Sequence, residues 1–169
     1  MIYLFISIIL DIITSNIITT TYQNINYFFP MILVSSIPIT YSLIKNKKIL
    51  LIILIILGLI YELLYSDIFL INTYYFILYY LFLHVFYQNR KTNYFNIILI
   101  SVLGFIIYDI YVFLILILLD YSYFEIEYLY YKIFHSFILN FLYVIISIII
   151  LKSRIFSYKK HRRKVKKKT

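Results

Sequence analysis

Fifteen of the sixteen Lys and Arg residues in this chain stand in three clusters, and long apolar runs separate them. Lys45, Lys47 and Lys48 form the first cluster and Arg90 and Lys91 the second. The third holds ten residues from Lys152 to Lys168. The intervening breaks hold acids instead, Asp67 in one and Asp120, Glu125 and Glu127 in another. Positive clusters at every second break between hydrophobic runs mark the cytoplasmic side of a chain that passes repeatedly through a bilayer.

Composition agrees. The chain is 64% hydrophobic and 14% charged, with mean hydropathy +0.93. Soluble domains sit near 45–50% apolar and about 25% charged. There is no cysteine, which excludes a disulfide framework, a thiolate metal site and a cysteine nucleophile. The net charge of +9 does not point to nucleic acid, because ten of the basic residues occupy one terminal tail with no interleaved aromatic platform. A tail beside a membrane helix meets anionic lipid head groups. The 21 Tyr residues carry little functional weight, since Tyr, Phe, Ile, Asn and Lys all have AT-rich codons. The first ten residues lack the basic start of a cleavable signal, so the first helix is expected to remain.

A hydrocarbon core of about 30 Å takes roughly 20 helical residues to cross. Six segments meet that need, at 2–21, 28–44, 49–65, 68–87, 94–119 and 131–151. They predict an all-α integral membrane protein: a six-helix transmembrane domain over 1–151 and a basic cytoplasmic tail over 152–169, with both termini cytoplasmic. Lys132 is the lone basic residue on the outer side. Pro30 and Pro38 predict a kink or tilt in the short second segment. The third and fourth segments almost touch, which predicts a tight hairpin or a partly re-entrant turn.

Polar residues inside such spans face protein or water, because a carboxylate at mid-bilayer costs about 2.5–3.5 kcal/mol. Helical spacing sorts them into stripes: Ser7, Asp11 and Thr14 or Ser15 in the first helix; Gly58 and Glu62 in the third; Tyr80, His84 and Gln88 in the fourth; Ser101, Gly104 and Tyr108 or Asp109 in the fifth; Ser136, Asn140, Tyr143 and Ser147 in the sixth. The interior candidates are therefore Asp11, Gly58, Glu62, Gly104, Asp109, His135 and Asn140. The bland reading makes them interhelical glue, at about 0.6 kcal/mol per hydrogen bond. The sharper one builds an ion or proton path from the three acids and the two histidines. Glue is preferred, because a relay needs closely coupled acids and a polar cavity. No Gly-rich phosphate loop, HExxH or serine triad is present, and no cofactor or metal is expected. In the tail, Lys159, Lys160, Arg162, Arg163 and Lys164 are the expected lipid head-group contacts.

Four landmarks recur in a fixed order: Pro30 opening the second segment, Gly58-Leu-Ile-Tyr-Glu62-Leu-Leu in the third, Ile107-Tyr-Asp109-Ile in the fifth, and His135-Ser-Phe-Ile-Leu-Asn140 ahead of a basic tail. Together they resemble the rod shape-determining MreD family along nearly the whole chain. Glu62 stands where that family usually has Asp. The glycine-bearing turn that normally follows reads Tyr65-Ser66-Asp67-Ile68-Phe69-Leu70 here. The resemblance implies a non-catalytic membrane subunit of the bacterial elongation machinery, working with MreC and through it with MreB and the lateral-wall peptidoglycan synthase. It also implies a fold similar to the six-helix substrate-binding subunits of energy-coupling-factor transporters. A vitamin-binding transporter subunit is accordingly the alternative expectation.

Overall fold

The computed structural model describes residues 2–17, 21–22, 25–26, 31–65, 70–88, 93–119 and 126–166; of these, 15–17, 21–22, 25–26, 65, 128, 131, 135 and 154–166 are described as backbone. Among them run six helices: α1 (Ile2–Ile17), α2 (Ile32–Leu43), α3 (Lys47–Tyr65), α4 (Ile71–Gln88), α5 (Tyr94–Leu118) and α6 (Ile126–Lys166). Two two-residue strands, β1 (Thr21–Tyr22) and β2 (Ile25–Asn26), pair antiparallel between α1 and α2, with Thr21 opposite Asn26.

Each helix falls on one apolar segment because those runs contain almost no Gly or Pro to interrupt them. Two are long and apolar enough to cross a membrane: α5, with 25 residues, and the 22-residue stretch Lys132–Ser153 of α6. The backbone stays helical from there to Lys166, so the boundary expected at 151 is a change of composition within one helix.

The central element is α2. Every residue from Met31 to Tyr41 is buried. It packs on α1, α5 and α6 and more lightly on α4, while α3 packs on α4. Such a helix is apolar nearly all round. Ile32, Leu33, Val34, Ile37 and Ile39 fill the core, and Ser35, Ser36 and Thr40 keep its flanks narrow. The helix runs through Pro38; Pro30 lies outside the described residues. Twelve residues at 1.5 Å each make α2 only about 18 Å long.

The bundle has two chemically distinct ends. At one, Ile39 of α2 clusters with Ile97 of α5 and with Val144, Ile148 and Leu151 of α6. Tyr41 of α2 stacks there on Tyr87 of α4, ring centroids 5.6 Å apart. Of the described basic side chains, Lys45, Lys47, Lys48 and Lys152 follow from these helix ends, whereas Lys132 lies against Asp109. Toward the opposite end lie Asp11, Glu62 and Asp109, each in the C-terminal half of an odd-numbered helix.

Candidate functional site

The described polar interior is built from acids that reach across to the next helix. Asp11 of α1 is buried, and its two carboxylate oxygens accept the Ile32 and Leu33 N–H groups, each at 2.9 Å. Asn140 of α6 accepts the Met31 N–H through its Oδ1 at 3.0 Å. Met31, Ile32 and Leu33 open α2, whose first amides have no partner inside the helix. Met31 has no capping side chain of its own. Side chains from α1 and α6 therefore do the capping, and a carboxylate there also meets the positive end of the helix dipole. Tyr61 of α3 adds a hydrogen bond to Asp11, and the Ser7 and Ser36 hydroxyls pair at 3.0 Å one turn away.

The same device recurs between α3 and α4. Glu62 Oε1 accepts the Asn72 N–H at 2.5 Å and the Thr73 N–H at 3.1 Å, at the start of α4. Its Oε2 faces the Asn72 side-chain amide at 3.4 Å. Gly58, one turn before Glu62, makes this possible. A Cβ there would stand 2.7 Å from the Thr73 Cα, so only glycine lets α4 come this close. The chain enters α4 through Leu70 at φ 69°, the left-handed region that glycine favours.

At the third hairpin the partner is a side chain. Lys132 of α6 places its Nζ 3.3 Å from Asp109 Oδ1, and both are buried. Next to this pair, Tyr108 donates its hydroxyl to Asn72 Oδ1, which ties the α5–α6 pair to the Glu62 cap. Two tyrosines of α4 donate to mid-helix carbonyls of α5: Tyr75 to Gly104 O at 2.5 Å and Tyr79 to Ile100 O at 2.8 Å. The Tyr79 hydroxyl occupies the space that a Cβ on Gly104 would need.

At the basic end, Lys47 donates to the Tyr41 carbonyl and lies over the Tyr41 ring, 3.8 Å from its centroid. This closes the C-terminus of α2 with a cation, the favoured sign there. Partial burial lowers the Lys47 pKa from the ordinary lysine value. His84 Nδ1 and the Tyr41 hydroxyl share a hydrogen bond at 3.1 Å.

Of the expected interior residues, Asp11, Gly58, Glu62, Gly104, Asp109 and Asn140 are buried; the His135 side chain lies outside the described residues. So do the side chains of Lys159, Lys160, Arg162, Arg163 and Lys164, whose backbone belongs to α6. The stripe expected on α4 differs: Tyr80 is buried, whereas His84 and Gln88 are exposed. The buried face of α4 is instead Asn72, Thr73, Tyr75, Phe76, Tyr79, Tyr80 and Leu83, because aromatic hydroxyls satisfy their own hydrogen bonds against α5 and need no wet surface. Sequence reasoning missed Asn72 and Thr73 as capped amides and Lys132 as the partner of Asp109. The isolation of Lys132 from every basic cluster was the signal for the latter.

Asp11, Glu62 and the Asn140 carbonyl oxygen thus hold backbone donors, and Asp109 holds a lysine. Among the described residues no group of three His, Asp or Glu side chains could hold a metal ion. No protein-family model, no curated protein and no solved structure matches the chain.

Proposed function

We propose that this chain is a non-catalytic, multi-pass subunit of the bacterial plasma membrane that serves the rod-shape elongation machinery as MreD proteins do. In this reading all six helices cross or enter the bilayer and both termini are cytoplasmic. The chain influences lateral peptidoglycan synthesis by holding MreC, and through it MreB and the wall synthase. The observation that supports it is where the resemblance-bearing residues sit. Gly58, Glu62 and Asn140 close helix ends against neighbouring helices, and Asp109 pairs with Lys132. Residues engaged in this way build a rigid scaffold. A protein that is nearly all helix, with short connections, acts on others by presenting helix surfaces, and association in lipid then rests on packing and interhelical hydrogen bonds.

Co-expression with MreC followed by purification in mild detergent tests the proposal, and a stable complex is the expected outcome. Failure to recover MreC, together with saturable vitamin binding by the isolated protein, would transfer the assignment to a transporter subunit.

A further inference from the structure

Two helices carry a tyrosine directly before an acid: Tyr61 before Glu62 in α3 and Tyr108 before Asp109 in α5. All four side chains are buried. Consecutive side chains on a helix point about 100° apart, so the two members of each pair reach different neighbouring helices. Tyr61 hydrogen-bonds Asp11 of α1, while Glu62 accepts the Asn72 and Thr73 amides of α4. Tyr108 donates to Asn72 of α4, while Asp109 holds Lys132 of α6.

Joined end to end, these contacts close on themselves. From Lys132 of α6 they run through Asp109 and Tyr108 of α5 to Asn72 of α4. They continue through Glu62 and Tyr61 of α3 to Asp11 of α1. Asp11 holds the Ile32 and Leu33 amides of α2, and the amide just before them, that of Met31, is held by Asn140. Asn140 returns the path to α6, eight residues from Lys132. All six helices are members, and every side chain on the path is buried. The opposite half of the bundle is tied differently. Where α2, α5 and α6 meet there, Ile39, Ile97, Val144, Ile148 and Leu151 form an apolar cluster.

The two kinds of tie yield in different ways. Apolar contact is non-directional and scales with area, so it weakens gradually as helices slide. A hydrogen bond weakens steeply once its distance and angle are lost, and a buried partner left behind is costly. In α3 and α5 the geometry adds a mechanical constraint. Neither helix can turn to release its tyrosine without also moving the acid beside it.

We propose that this circuit is a cooperative girdle: the acid halves of the six helices open as one unit, linked by Tyr61 and Tyr108, while the apolar cluster opens separately. Without the two tyrosines the Asp11, Glu62 and Asp109 sites would be independent local closures; with them, loosening one is felt at the others. The girdle is a property of the bundle itself and does not depend on MreC.

Residue-resolved hydrogen exchange on the full chain in mild detergent is the test. The Ile32, Leu33, Asn72 and Thr73 amides report the girdle, and those of Val144 and Ile148 report the apolar cluster. Tyr61→Phe and Tyr108→Phe each remove one hydroxyl and keep the ring. Each should speed exchange at all four girdle amides by a common factor, roughly tenfold for one stranded buried partner, with Val144 and Ile148 unchanged. Acceleration confined to Asn72 and Thr73 in Tyr108→Phe, or to Ile32 and Leu33 in Tyr61→Phe, would leave separate caps and overturn the proposal. Equal acceleration at Val144 and Ile148 would overturn it too, since the opening would then be unfolding of the whole chain. Tyr79→Phe removes a buried hydroxyl outside the girdle. It should leave the four amides at their wild-type rates, and an effect as large as that of Tyr108→Phe would deny the linking tyrosines their role.

Discussion

Asp11 does what a serine or aspartate does at the start of a soluble helix, except that it reaches there from another helix. Its removal should therefore resemble loss of two hydrogen bonds at once. Asp11→Leu orphans two buried donors at about 1–3 kcal/mol each, so a loss of roughly 2–6 kcal/mol is expected. Asp11→Asn keeps one acceptor oxygen and should cost about 1 kcal/mol or slightly more. Thermal unfolding in detergent separates the two, and equal losses would point to a titrating role for the carboxylate. The Asp109–Lys132 pair behaves differently. Removing either partner alone strands a buried charge, at about 3–5 kcal/mol. Asp109→Leu and Lys132→Met should each be severe, while the double variant recovers most of the stability; simple additivity would show that the two residues do not interact. Leu70 offers a gain. A left-handed non-glycine residue carries about 1–2 kcal/mol of strain, so Leu70→Gly should raise the unfolding temperature.

At the scale of elements, each helical hairpin is closed by an acid on its first helix acting on its second. The first two acids meet backbone amides, because Asp11 and Glu62 stand level with the starts of α2 and α4. The third meets a side chain: α6 starts at Ile126, so its first turn lies beyond Asp109 and Lys132 comes level instead. Close helix approach is the condition for all of this. Gly58→Ala would place a methyl group 2.7 Å from the Thr73 Cα. Alanine improves helix propensity by up to about 1 kcal/mol, and overpacking costs about 1–3. Because the opposing atom is backbone, the clash should win. Gly58→Ala is expected to destabilise the protein and to weaken the Glu62 cap, and hydrogen exchange at the Asn72 and Thr73 amides measures the latter directly.

For the whole molecule the charge separation sets a direction. If the basic end is cytoplasmic, a single cysteine at Asn46, in a chain with none of its own, stays protected from an impermeant thiol reagent in intact cells and reacts after lysis. Reaction in intact cells would invert the topology. The short α2 has a related consequence. In the membrane-spanning reading, its length of about 18 Å falls short of a hydrocarbon core of about 30 Å; its capped N-terminus is buried in the bundle. Asn140, two turns beyond Lys132 along α6, caps it at that depth. Bare amides buried there would cost about 1–3 kcal/mol each.

The helices themselves were legible in the sequence. Apolar runs nearly free of Gly and Pro have no competing local structure, and three- and four-residue spacing identified Asp11, Glu62, Asp109 and Asn140 as inward-facing. What each of them holds was not legible. An amide 21 residues away, or a lysine 23 residues on, becomes a partner only when two helices settle at a particular height against each other. That height comes from packing, above all from the Gly58–Thr73 approach and the tyrosines that seat α4 on α5. The aromatic richness that codon bias seemed to explain proved to supply those hydroxyls. Periodicity is local and survives in one dimension; register between helices is a collective property of side-chain volumes, and only the tertiary structure decided it.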